Sequence, residues 1–236
     1  WKIKIIKNVW LPYMTCPDSE KCSLTVALPI LSAAGIEACA MPTAILSTHT
    51  GGISGYTYRD LTSDMRAFYA ALEVARYTIR CDLQRFLRFI RTAGPRQRVF
   101  RTIQIKNNLI LVDPVMADNG ELYRIFQPEF ATGMRSLCRK ADIIVPNLTE
   151  AALLLEESYH PGPYTQAYIE KILKKLSKLG PKKIVLTGVY FEEKEIGSCD
   201  LRPKGKIRQT TCFPKGYQEV ITEQEMFLRA PCYPAC

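Results

Sequence analysis

Two apolar rhythms alternate along this chain. Short unbroken runs, LILV at 109–112 and IIV at 143–145, suit strands covered on both faces. Longer stretches, such as 128–139 and 165–179, bring apolar residues back at helical spacing. The pattern predicts strands at 4–9, 36–46, 109–113, 142–146 and 183–187, with an edge strand at 206–211. It predicts helices at 23–34, ended by Gly35, and at 62–72, 128–139, 149–157 and 165–179. A polar, glycine-rich loop, STHTGGISGYTYRD, fills 47–60, and from 73 to 108 no pattern is legible. Strands separated by helical stretches imply βαβ units. The expected fold is therefore α/β, a three-layer αβα arrangement with a mostly parallel central sheet and flanking helices. No internal repeat or low-complexity tract interrupts it.

The ends of two of these strands carry polar groups. Asp113 follows LILV directly, and Pro114 then removes a donor and stops the pairing. The second strand repeats the plan with Pro146 and Asn147, followed by a helix, TEAALLLEE, with Glu150 in its first turn. Taken singly, Asp113 reads equally as a strand-end turn former and Asn147 as a helix cap. Together they favour a site, because the carboxyl end of a parallel sheet is where an α/β protein holds a phosphate and its magnesium.

Length and composition fit one domain of 236 residues with enough apolar content for a full core. No apolar run reaches membrane-spanning length, and no signal-peptide pattern opens the chain, so a cytoplasmic protein without a membrane partner is expected. The nine cysteines are odd in number and scattered, and neither Cys16 with Cys22 nor Cys232 with Cys236 has a second metal pair nearby. They read as reduced thiols. The net charge of +9 is concentrated: between 74 and 105 eight arginines stand against one acid, Asp82, which supplies +7 of the total. Whatever explains that segment explains the basic pI.

Several segments resemble a known family. CSLTVALPILSAAGIEA, PTAILSTHTGG, YTYRDLT, LILVDPVMADNGELY, ADIIVPNLTEA and GPYTQAYIEKILKKLSKLGPKKIVLTGV are similar, in order, to bacterial pyridoxal kinases of the ribokinase-like superfamily. The STHTGG loop resembles pyridoxal kinases more than the related hydroxymethylpyrimidine kinases. The resemblance implies ATP-dependent phosphorylation of the 5′-hydroxyl of pyridoxal, pyridoxine or pyridoxamine, with ATP and Mg²⁺ as cofactors and homodimers common in the family. It implies that Thr50 and Gly51 lie against the pyridine substrate. Asp113, Asp118, Asn147 and Glu150 would surround the ATP phosphates and the metal, with Asp113, Asp118 and Glu150 as the metal side, and Thr187 and Gly188 would line the nucleotide side. Each has a plainer reading: Thr50 as a bond within its own loop, Asp118 as part of an Asp-Asn-Gly turn, Thr187 as a strand end.

The departures from the family are as informative. Its members carry AIHDxSGFG early, FDAIYSGFLGS in the middle, and late GTGD, which opens a helix as an anion hole and contributes the base for the substrate hydroxyl. None is present, so the resemblance assigns no catalytic aspartate here. The genetic code links the three absences. ITEQEMFLRA at 221–230 can be encoded ATC ACG GAA CAG GAG ATG TTT TTG CGA GCG, which two bases along reads HGTGDVFAS. LPYMTCPDSE at 11–20 likewise gives AIHDMSGFG, with its Asp forced by Met14 and Thr15. The stretch 79–93, read one base along, permits FDAIYSGFLGSSEQ. The chain thus reads as a single ribokinase-like kinase domain over 1–236, C-terminally incomplete, in which segments 11–20, 74–106 and 218–236 are out-of-frame translation. Impaired or absent activity is expected, and the arginines acquire no selected role in binding nucleic acid. A hydroxymethylpyrimidine kinase and a non-catalytic nucleotide- or vitamin-binding remnant are the alternatives.

Overall fold

The computed structural model describes residues 7–17, 24–48, 55–61, 63–74, 77–85, 109–123, 126–192, 195–201 and 207–214. The chain divides into two compact units, Trp1–Ile110 and Leu111–Cys236.

The first unit contains β1 (Lys7–Pro17), α1 (Leu24–Ala33), β2 (Met41–Leu46), β3 (Tyr58–Asp60), α2 (Met65–Val74) and β4 (Tyr77–Arg85). Strand β1 pairs in parallel with both β4 and β2, and β3 adds antiparallel to β2. Helix α1 buries Leu24, Ala27 and Leu31, the spacing of a single helical face. A Schellman turn closes it, with the Ile36 N–H donating to Leu31 O at 2.9 Å. The helix expected at 23–34 is therefore present, whereas the strand expected from 36 begins only at Met41.

Two findings here correct the sequence reading. Strand β1 runs through Pro17, far past the expected 4–9, and β4 occupies a stretch in which no pattern was legible. The reason is visible in retrospect: YTIRCDLQR alternates Tyr77, Ile79, Cys81 and Leu83 with Thr78, Arg80, Asp82 and Gln84. That period of two supports a strand whatever the charge of the polar set.

The second unit begins inside β5 (Leu109–Asp113) and continues with β6 (Ala117–Asp118), β7 (Glu121–Leu122), α3 (Glu129–Cys138), β8 (Ile143–Ile144), α4 (Leu148–Leu155), α5 (Gln166–Ser177), β9 (Lys183–Val189), β10 (Glu195–Leu201) and β11 (Ile207–Pro214). Strands β5, β8 and β9 lie parallel in that order, β10 turns antiparallel on β9, and β11 forms the edge expected at 206–211. Val112, Ile144 and Leu186, one from each parallel strand, are fully buried. Helix α5 covers part of this sheet with Ile169, Ile172, Leu173 and Leu176, again one face, after Thr165 caps its start by accepting the Tyr168 N–H at 3.2 Å. The architecture is the expected α/β class, a mostly parallel sheet with flanking helices. Among the described residues no helix is long and apolar enough to cross a membrane.

Candidate functional site

Three neighbouring strand ends carry the candidate site. Backbone bonds set their alignment: the Val145 N–H donates to Val112 O at 3.0 Å, and the Thr187 N–H donates to Pro146 O at 2.9 Å. Asp113, Asn147 and Thr187 therefore stand at the carboxyl ends of adjacent parallel strands, which the apolar runs 109–112 and 143–145 hold in place by burial.

Glu150 ties two of these ends together. One carboxylate oxygen accepts the Asn147 N–H at 2.9 Å and the other the Met116 N–H at 3.1 Å. In return Asn147 Oδ1 accepts the Glu150 N–H at 2.8 Å, completing a capping box at the start of α4. Asn147 Nδ2 donates to Ala117 O at 2.9 Å, so the segment after Asp113 is fastened twice to the cap of α4. Both Asn147 and Glu150 are buried, and a buried carboxylate is tolerable here because it meets backbone donors and the positive end of a helix. Asn147, for which the sequence allows both a cap and a site role, is the cap of α4, standing at the candidate site.

Asp118 is exposed, on a hairpin of two residues per strand, in which Ala117 pairs with Leu122 and Asp118 with Glu121. Its loop is Asn119-Gly120, both at positive φ (50° and 85°), the conformation that favours this dipeptide in two-residue hairpins. The Asp118 carboxylate accepts the Asn119 N–H at 2.9 Å. Thr149 Oγ1 accepts the Gly120 N–H at 3.0 Å, fixing the turn to the first turn of α4. Neither Thr149 nor Tyr159, whose ring lies against Gly120, was singled out from sequence. The Asn-Gly signal marks the turn but says nothing of what holds it.

At the third strand end, Leu186 of β9 pairs with Cys199 and Val189 with Gly197, so Thr187 and Gly188 together face Ser198 alone. This is a bulge, and Gly188 takes the positive φ of 67° it requires. At this bulge the Thr187 hydroxyl is buried and has no hydrogen-bond partner among the described residues. A buried hydroxyl in that state is costly unless a ligand completes it.

The charge of the crevice shows in a neighbour. Burial, followed by the Glu150 and Asp113 carboxylates, pushes the Cys138 thiol well above its ordinary range. Among the described residues no three acidic, histidine or cysteine side chains converge into a ready metal cage. Mg²⁺ carried on nucleotide phosphates does not need one, since one or two carboxylates suffice. The half-buried Asp113 and the exposed Asp118 are oxygen donors of that kind. Thr50 and Gly51, and the segment 221–230 that stands where the family has GTGD, lie outside the described residues.

Comparison with known proteins bears on this geometry. Residues 89–213 match the family model of phosphomethylpyrimidine kinase. A protein of Bacteroides thetaiotaomicron described as a phosphomethylpyrimidine kinase, crystallised with pyridoxal, is 31% identical; the match covers 89% of this chain and 73% of that one, with a TM-score of 0.77. Pyridoxal kinase from Lactobacillus plantarum is 29% identical over 88% of this chain and 73% of its own, with a TM-score of 0.74. Pyridoxal kinase from Leishmania donovani, in complex with ADP and pyridoxamine, shares the fold at 17% identity, covering 87% of this chain and 74% of that one with a TM-score of 0.67. No curated protein matches.

Proposed function

The chain belongs to the phosphomethylpyrimidine kinase family, and from that premise we propose that its site is that of an ATP-dependent kinase of the 5′-hydroxyl of pyridoxal, pyridoxine or pyridoxamine. The observation that carries this reading is the alignment of Asp113, the Asn147–Glu150 capping box and Thr187 at three adjacent strand ends. Phosphoryl transfer asks mainly for alignment and charge neutralisation, which fixed polar groups at one crevice supply. Asp113 and Asp118 would hold Mg²⁺, which when bound neutralises phosphate charge. Glu150 adds its negative charge to the metal side while its oxygens keep Asn147 and the segment after Asp113 in register. The Thr187 hydroxyl, buried without a partner among the described residues, and the adjoining Gly188 would face the nucleotide. By resemblance, Thr50 and Gly51 meet the pyridine ring.

The chemical step transfers the γ-phosphoryl group to the substrate oxygen and needs a base for the departing hydroxyl proton. The sequence contains no GTGD, so this chain binds better than it turns over. A second reading, hydroxymethylpyrimidine as acceptor, is favoured by the description of the matching family model. The pyridoxal reading is favoured by the STHTGG loop and by the Bacteroides relative crystallised with pyridoxal.

ADP release by the purified chain, with pyridoxal and with hydroxymethylpyrimidine, tests both. The expected result is no acceptor-dependent turnover in the chain as it stands, and pyridoxal-dependent turnover once AIHDMSGFG, FDAIYSGFLGS and HGTGDVFAS are restored. Robust turnover by the unaltered chain would overturn the impairment, and preference of the restored chain for hydroxymethylpyrimidine would select the second reading.

A further inference from the structure

The turn that carries Asp118 cannot hold itself. A hairpin of two residues per strand has too little pairing to be stable alone, so its position depends on what grips it from outside. Asn147 and Glu150 fasten its base at Ala117 and Met116, and the Thr149 hydroxyl grips its loop at the Gly120 N–H. A further grip on the loop is aromatic. The ring of Tyr159 lies so close that a methyl group on Gly120 would stand 2.8 Å from its Cδ1 and 3.4 Å from its Cε1.

Tyr159 is itself the first of a row. Its hydroxyl lies 3.5 Å from that of Tyr164. Tyr164 is buried, meets the ring of Tyr190 edge-on at 5.3 Å, stacks on Tyr168 at 5.8 Å, and donates its N–H to Tyr190 O at 2.9 Å. Tyr190 directly follows β9, the strand whose bulge presents Thr187 and Gly188. The contacts Gly120, Tyr159, Tyr164, Tyr190 thus run unbroken from the Asp118 turn to the strand end on the nucleotide side. Aromatic rings suit this use, being large, rigid and favourably paired beyond the area they bury.

We propose that Tyr159 is a positioning residue: its ring, standing in the tyrosine row, sets the Asn119-Gly120 turn so that Asp118 meets the metal of a Mg²⁺-nucleotide. This rests on the kinase reading above. It separates Tyr159 from an ordinary packing residue by one property, that its loss weakens the metal-dependent part of nucleotide binding selectively.

The test uses the full chain with Tyr159→Ala, Tyr159→Phe and Tyr159→Leu, read by amide hydrogen exchange over 116–122 and by calorimetric affinity for ADP with and without Mg²⁺. Tyr159→Ala is expected to speed exchange in 116–122 but not in α5. It is expected to lower Mg²⁺-ADP affinity about tenfold, as loss of an outer support of a metal ligand does, with metal-free ADP affinity unchanged. Tyr159→Phe keeps the ring and is expected to behave as the unaltered chain. If Tyr159→Ala does not fold, Tyr159→Leu, which retains bulk without the flat ring, carries the same expectation. Unchanged exchange at 116–122 overturns the brace. An equal loss of ADP affinity with and without metal, or no loss, overturns the positioning role. Failure of the unaltered chain to bind Mg²⁺-ADP overturns the kinase reading, and the exchange arm still decides separately whether the ring holds the turn.

Discussion

At the residue scale, Glu150 and Thr187 make opposite contributions to the same crevice. Glu150 satisfies two backbone donors from two strand ends. Glu150→Ala leaves both unsatisfied in a buried place, and the expected loss of folding stability is about 2–4 kcal/mol, read as a shift in the urea midpoint. A loss under about 0.5 kcal/mol would mean that water replaces the carboxylate freely. Thr187 is the reverse case, because its hydroxyl is buried without a partner among the described residues. Thr187→Val removes that hydroxyl at nearly constant shape. The expected result is equal or higher melting temperature without ligand, together with weaker nucleotide binding. A variant that melts lower and binds ADP as well as the unaltered chain would remove Thr187 from the nucleotide side.

At the element scale, the bulge in β9 is the feature on which the third strand end depends. Gly188 sits at φ 67°, and Gly188→Ala places a Cβ in a conformation that costs about 1–2 kcal/mol for an L-residue. The expected outcome is a destabilisation of that size accompanied by altered nucleotide affinity, since straightening the bulge re-aims Thr187. Stability lost with affinity kept would show the bulge to be structural only. The elements most legible in the sequence were those built on unbroken or helically spaced apolar runs: β5, β8, β9, α3, α4 and α5. Strand β10 went unread because EIGSCDL mixes small and polar residues and owes its strand state to pairing on both sides by β9 and β11. The placement of Asp113, Asn147 and Glu150 together at strand ends, which makes the candidate site, was legible. The grip of Thr149 and Tyr159 on the Asp118 turn was not, since it depends on contacts 29 residues or more apart in the chain.

At the scale of the whole molecule, stability has an alkaline limit. In the folded state burial and two carboxylates keep the Cys138 thiol protonated, whereas the unfolded thiol ionises near 9.0. Burial, then the bond to Tyr159, raises Tyr164 above its ordinary 10.0 in the same sense. Above those values the unfolded chain binds fewer protons at these two groups than the folded one, so the stability they contribute is full below pH 9.0 and falls as the pH rises. Urea midpoints at about pH 8 and about pH 10 should show the fall, and Cys138→Ala should reduce its slope. The origin of the arginine-rich segment is also testable at this scale, in the codons. The frame hypothesis requires Glu223 to be encoded GAA and Gln224 CAG, because GAG would replace the Thr of GTGD by Ala and CAA would replace its second Gly by Arg. Either of the other codons in the coding DNA would sink it. If the required codons are present, the +7 between 74 and 105 records a shifted reading frame, and restoring that frame should remove most of the chain's affinity for a cation exchanger.

The Asn119-Gly120 turn sets a chemical clock as well as a geometry. In spontaneous deamidation the nitrogen that attacks an asparagine side chain is the backbone nitrogen of the next residue, and a following glycine offers the least hindrance. Here that nitrogen is the Gly120 N–H already committed to Thr149. The hydroxyl that holds the turn therefore also slows its ageing. Each molecule that escapes this protection converts Asn119 to an acid beside Asp118, altering the charge of the turn without any change in the gene.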